Sequence, residues 1–277
     1  MSDLLALAVF IAFALFLLTG KKGKYAAIAG WGCVVLNLFS ELPALFAEGN
    51  LLYPVLTLLS LPFLVITAER IIRDDAVILQ LSRTAAIATI IWVPFSLVPF
   101  LHDLIIAAVV GQAFAIITAL GHHPQLFAWD VIAGNGFYNQ IILPCTGLSA
   151  IAILLGVAFG KMDLSARQAV SAFLFIVPVI WVLNLLRVVT VFIAVSDRWF
   201  GSFPDPRPGA IGDANFFWAH NIFGEGIAII ALLLLVWGLC RIIPGRAVFV
   251  RALPEAYRDR VRAAATVVKR TGTQKDL

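Results

Sequence analysis

Charged side chains are scarce in this chain. Only 13% of its 277 residues are Asp, Glu, Lys or Arg, about half the share of an ordinary soluble domain, while 61% are hydrophobic and the mean hydropathy is +0.98. That balance excludes a soluble globular domain, and a net charge of +4 spread over such a chain is no nucleic-acid footprint. The apolar runs also lack the strict alternation of a membrane β-barrel. Cysteine is nearly absent: Cys33, Cys145 and Cys240 are too few and too far apart for a disulfide framework. No basic region precedes the first apolar run, so residues 3–20 read as a retained span rather than a signal peptide. No internal repeat or low-complexity tract is present.

What remains is a set of apolar runs long enough to cross a hydrocarbon core about 30 Å thick. They fall at about 3–20, 25–45, 51–68, 84–101, 144–160, 168–193 and 219–240, with a further run at 103–120. Basic residues cluster between them: Lys21, Lys22 and Lys24; Arg70, Arg73 and Arg83; Lys161 and Arg167; and nine Lys/Arg after Cys240. The positive-inside rule assigns these seventeen of the twenty Lys/Arg to the cytoplasm, which requires an even number of crossings between neighbouring clusters. Three runs lie between Arg83 and Lys161, so one must not cross. The run at 103–120 follows His102, opens with Asp103 and carries Gly111 and Gln112. It is therefore expected to lie at the outer interface or to re-enter there. Eight spans with a partly buried hairpin near 121–144 is the alternative, and it breaks the parity.

The fold class expected is all-α: a polytopic membrane helical bundle of about seven spans plus one interfacial or re-entrant helix. Residues 1–240 form one integral membrane domain, and 241–277 a basic cytoplasmic C-terminal tail with nine Lys/Arg and three acids. A helix opened by Pro254 and running through Val268 would lie on the membrane surface as an anchor. The segments 41–50, 102–144 and 194–218 then face outward and carry or adjoin His102, His122, His123 and His220. Residues 121–143 read as a hairpin-like cap with a turn at Asn135-Gly136. Residues 197–218, with Pro204, Pro206 and Pro208, read as an ordered loop.

Chemistry is expected at that outer face. Arg187 lies within an apolar helix, where a charge is costly and suggests function by default, and Asn184 three residues earlier shares its face. A guanidinium there can hold a carbonyl or a developing oxyanion; snorkelling, or pairing with Glu225, is the structural alternative. His220 opens the last run and is the usual type of proton-transfer group, with Gly224 one turn later allowing close approach. Cys145 follows Pro144, which suits a first helical turn, and the positive end of the helix dipole would favour its thiolate, while burial in the membrane opposes that. Nucleophile, oxyanion clamp and proton-transfer group together are what acyl transfer needs.

Cys145-Thr146-Gly147-Leu148, Asn184-Leu185-Leu186-Arg187 and the pair His220 and Gly224 resemble, in order and spacing, the cysteine, Asn-x-x-Arg and histidine motifs of the exosortase and archaeosortase membrane transpeptidases. The resemblance is strongest over residues 103–240. It implies catalytic residues Cys145, Arg187 and His220, supported by Asn184, Gly147 and Gly224, at the extracytoplasmic face of the cell membrane, with no metal or cofactor. Its implied partners are the lipid bilayer and substrate proteins ending in a recognition motif, a transmembrane helix and a basic end. These would be cleaved through a thioacyl-enzyme and passed to an acceptor, or to water. Ser149 stands where many bacterial members have arginine. Two readings of other kinds remain: a metal site from His102, His122, His123 and an aspartate, and a transporter or assembly scaffold whose Arg187 binds an anion.

Overall fold

The computed structural model describes residues 3–47, 52–161, 164–204 and 214–258. By contacts the chain divides into two compact units. One comprises Met1–Ile87, Gly156–Leu164 and Cys240–Leu277, the other Ala88–Leu155 and Ser165–Leu239.

In the first unit, α1 (Asp3–Thr19) and α2 (Lys24–Ala47) pack against each other through a one-turn 3-10 helix, Gly20–Gly23. Gly20 at φ +58° reverses the chain, a conformation that costs glycine little. Gly30 on α2 lies so close to the Phe13 ring that a Cβ would sit 2.9 Å from it. Phe13 and Phe16 are buried there with Ala27 and with Ile71, Ile78 and Leu79, which come from α3 (Leu52–Ile72) and the start of α4 (Ala76–Leu97). Asp75 caps α4, its carboxylate accepting from the Val77 and Ile78 amides at 2.9 and 3.2 Å. Residues 245–258 form a further helix, α9, with Pro254 inside it rather than opening it; the expected continuation to Val268 lies outside the described residues. Tyr257 ties α9 to α3, stacking on Phe63 and sharing a 2.7 Å hydrogen bond with Thr67. Burial raises its phenol pKa.

The second unit is built on α5 (Pro99–Ala119) and α7 (Ala166–Ser196). Ile106, Val109, Val110, Ala113 and Ile117 make one helical stripe of α5, buried with Val188, Val189, Phe192 and Ile193 of α7. Ile132 and Ile141 complete this core. Ile132 comes from a three-stranded antiparallel meander, β1 (Gln125–Ala128), β2 (Val131–Gly134) and β3 (Phe137–Gln140). The expected cap is thus a small sheet, the one departure from all-α structure among the described residues. Asn135 (φ +49°) and Gly136 (φ +77°) make the β2–β3 turn, and Gly134 pairs with Phe137 across it.

Among the described residues, six stretches are long and apolar enough to cross a membrane: Asp3–Pro43, Pro54–Ile72, Ala76–Leu97, Pro99–Ala119, Ala166–Ser196 and Ala214–Ile242, the last being α8. The first contains α1 and α2 as far as Pro43. Two expectations change places. The run at 103–120, expected to be interfacial or re-entrant, belongs to the 21-residue α5, which starts at Pro99. The run at 144–160 gives only the 12-residue α6 (Leu148–Phe159), about 18 Å long at 1.5 Å per residue and shorter than a hydrocarbon core. Further, α4 starts eight residues before the expected span and includes Arg83, because helical backbone continues through polar residues that end an apolar run.

Candidate active site

Residues Leu143–Thr146 form a one-turn 3-10 helix before α6, so Pro144 heads that turn and not α6 itself. The Cys145 amide donates to the Ile142 carbonyl at 2.7 Å. Thr146 is fully buried; its hydroxyl donates to the Leu143 carbonyl at 2.7 Å and accepts from the Leu148 amide at 3.3 Å, fastening the turn to α6. Gly147 joins them at φ +77°, in the left-handed region. It answers a second demand as well: a Cβ here would lie 3.0 Å from the Asn184 side chain. That close approach lets the Asn184 amide donate to the Cys145 carbonyl at 2.8 Å. The Cys-Thr-Gly motif and the Asn-x-x-Arg motif are therefore joined by a direct hydrogen bond.

Arg187, half-buried, follows Asn184 by three residues on α7. The pair with Glu225 does not form: Glu225 is exposed, and among the described residues Arg187 has no hydrogen bond or ion pair. α8 comes close to it at Gly224, where a Cβ would meet Val191 at 3.3 Å and the Arg187 stem at 3.7 Å. Gly147, Asn184, Arg187 and Gly224 line a cavity of about 420 Å³ whose other walls are mainly aliphatic, from Ala150 on α6 to Leu235 on α8. Five polar donors on a guanidinium without an internal partner, at the edge of an apolar cavity, suit an incoming carbonyl or anion.

His220 lies in a π-helical segment, Phe217–Gly224, within α8; such segments occur often at functional sites. Its ring stacks on Phe216 (centroids 5.1 Å apart, planes at 18°), and Nδ1 is 2.7 Å from Oδ1 of Asn221. Cys145 and His220 are not themselves among the cavity-lining residues; each stands within four residues of a glycine that is. The structure thus gathers Asn184, Gly147, Arg187 and Gly224 around one space, with Cys145 bonded to that group and His220 one helical turn from it.

The motifs did not reveal Asn215. It is 3% exposed and serves three backbone groups: its oxygen accepts from the Phe200 amide at 2.9 Å, and its amide donates to the Val195 and Ala194 carbonyls at 2.9 and 3.5 Å. It pins the start of α8 to the end of α7, adding a side-chain donor to carbonyls that already accept from the Trp199 and Arg198 amides. A polar residue before an aromatic run, Asn215-Phe216-Phe217-Trp218, was the only trace of it in the sequence.

The other histidines stand apart from this arrangement. His102 contacts its neighbour Asp103 at 3.0 Å, and His122 lies 3.8 Å from Asp197. Among the described residues no three His, Cys, Asp or Glu side chains are arranged to hold a metal ion, so the metal reading finds no ligand set. Cys33 and Cys240 are free, half-buried thiols.

Comparison with known proteins gives two relatives. Over 241 residues, 76% of this chain and 78% of the relative, the sequence is 23% identical to archaeosortase A of Haloferax volcanii. Over 218 residues, 72% of this chain and 69% of the relative, it is 27% identical to archaeosortase A of Natronomonas pharaonis. No protein-family model matches the chain, and no solved structure matches it.

Proposed function

From the membership of the archaeosortase/exosortase family that these two homologues support, we propose that the protein is a multi-pass membrane transpeptidase acting on proteins with a C-terminal sorting signal. Cys145 is its nucleophile. The observation that carries this reading is the Asn184–Cys145 hydrogen bond beside Arg187, which has no partner among the described residues, both Asn184 and Arg187 lining an apolar cavity in a chain of membrane-length helices.

The Cys145 thiolate adds to the scissile carbonyl carbon, and the carbonyl electron pair moves to oxygen, where Arg187 stabilises the charge. Collapse breaks the C–N bond, the departing amine takes a proton from the His220 imidazolium, and a thioester remains on Cys145. An acceptor amine then adds to the thioester, passes its proton to His220 and expels the thiolate; water in its place gives hydrolysis. The aliphatic wall along α8 from Gly224 to Leu235, about 16 Å at the helical rise, receives the apolar helix of the substrate beside the bond to be cut. Gly224, Ala228 and Ala231 on that wall permit close helix approach. The charge of the basic tail favours a cytoplasmic position for it, and the family resemblance favours an outer-face position for Cys145 at the cell membrane.

Co-expression with a protein from the same genome that ends in a motif, an apolar helix and a basic cluster tests the reading. Cys145→Ala is expected to abolish loss of the substrate's C-terminal segment while the enzyme remains inserted in the membrane. Undiminished processing would refute it.

A further inference from the structure

We infer that Asn221 is a positioning residue that sets the tautomer of His220, so that Nε2 is the nitrogen through which protons pass. This rests on the proposed role of His220 and adds a residue outside the three motifs. The 2.7 Å contact joins Nδ1 of His220 to the side-chain oxygen of Asn221. An amide oxygen has no hydrogen to give, so the ring nitrogen must be the donor. A neutral imidazole that donates from Nδ1 carries its free lone pair on Nε2, and an imidazolium so held gives up its proton from Nε2.

Two further features make this an orienting contact. Phe216 lies nearly parallel to the imidazole, 18° between planes and 5.1 Å between centroids, and this limits rotation of the ring. Asn221 itself is exposed, in the apolar stretch Trp218-Ala219-His220-Asn221-Ile222-Phe223, and the bond to His220 is its side chain's sole hydrogen bond among the described residues. An amide on an apolar, membrane-length helix is unfavourable unless it has a partner, and His220 is that partner. Phe216 and Asn221 thus hold the ring in two ways, one fixing its plane and the other its protonated nitrogen.

The test uses the full-length protein in detergent with ¹⁵N-labelled histidine, at a pH where imidazole is neutral, with the His220 signals assigned by their loss in His220→Ala. The wild type is expected to show Nδ1 protonated and Nε2 bare, and Asn221→Ala to lose that preference. In processing assays on the co-expressed substrate protein, Asn221→Ala should lower the maximal rate about tenfold or more with KM changed less than twofold, within the range of general acid–base catalysis. Asn221→Asp keeps an oxygen acceptor and should restore both tautomer and rate. An Asn221→Ala protein that keeps the Nδ1–H form, or keeps its rate while His220→Ala is inactive, overturns this inference alone. Full activity in His220→Ala overturns the reading beneath it.

Discussion

Arg187 is the residue on which the site's electrostatics turn. Its guanidinium edges a largely aliphatic cavity and has no internal partner among the described residues, so its charge is available to a ligand. In such surroundings a directed donor to an oxyanion contributes about 10²–10³ in rate. Arg187→Ala should therefore lower the processing rate by at least that much, and Arg187→Lys should recover only a small part, since an ammonium lacks the planar fork. Rates on the co-expressed substrate, with enzyme abundance measured in the same membranes, check this. At this scale the sequence was most informative where spacing carried meaning. Asn184 and Arg187, three apart, had to share a helix face, whereas Gly147 was singled out only by the family motif and the left-handed turn it makes came from the structure. Asn215 and Asn221 were illegible because a lone amide has no periodicity, and its partners are set by turns and by the π-helical register.

At the scale of the element, the 12-residue α6 is held at both ends. Thr146 fastens its start, and at its other end Arg246 of α9, fully buried, donates to the Ala158 carbonyl at 2.9 and 2.8 Å and to the Lys161 carbonyl at 2.8 Å. A cation on the last carbonyls of a helix also complements its dipole. Gly156 and Gly160 let the same end of α6 pack directly against Thr84 of α4. Arg246→Ala strips charged hydrogen bonds from buried carbonyls and should cost roughly 3 kcal/mol. It should lower the apparent Tm in detergent, while the exposed Arg251→Ala should leave it unchanged. Element boundaries were the weakest part of the sequence reading, for a physical reason. Hydropathy reports how long a run is apolar, not where the backbone stops being helical. Gly147 cuts a long apolar run near its start, whereas Gln80 and Arg83 interrupt hydropathy inside α4 without interrupting the helix.

For the whole molecule, the strongest signal was composition. So few charges and such long apolar runs dictate membrane-length helices, and among the described residues six stretches meet that requirement. The small sheet was visible only as its Asn135-Gly136 turn, since four-residue strands are too short for a clear alternation. Two archaeosortase A relatives, 23% and 27% identical, align with about three quarters of the chain. Within that frame the central claim is that a substrate acyl group is carried on Cys145. Hydroxylamine tests it most directly, because it cleaves a thioester and leaves a hydroxamate on the released acyl group. Membranes containing enzyme and substrate, treated with hydroxylamine during turnover, are predicted to release substrate ending in a C-terminal hydroxamate, identified by mass spectrometry and absent with Cys145→Ala. Processing that continues without forming any hydroxamate, or hydroxamate that forms equally with Cys145→Ala, would contradict a thioacyl intermediate at this residue.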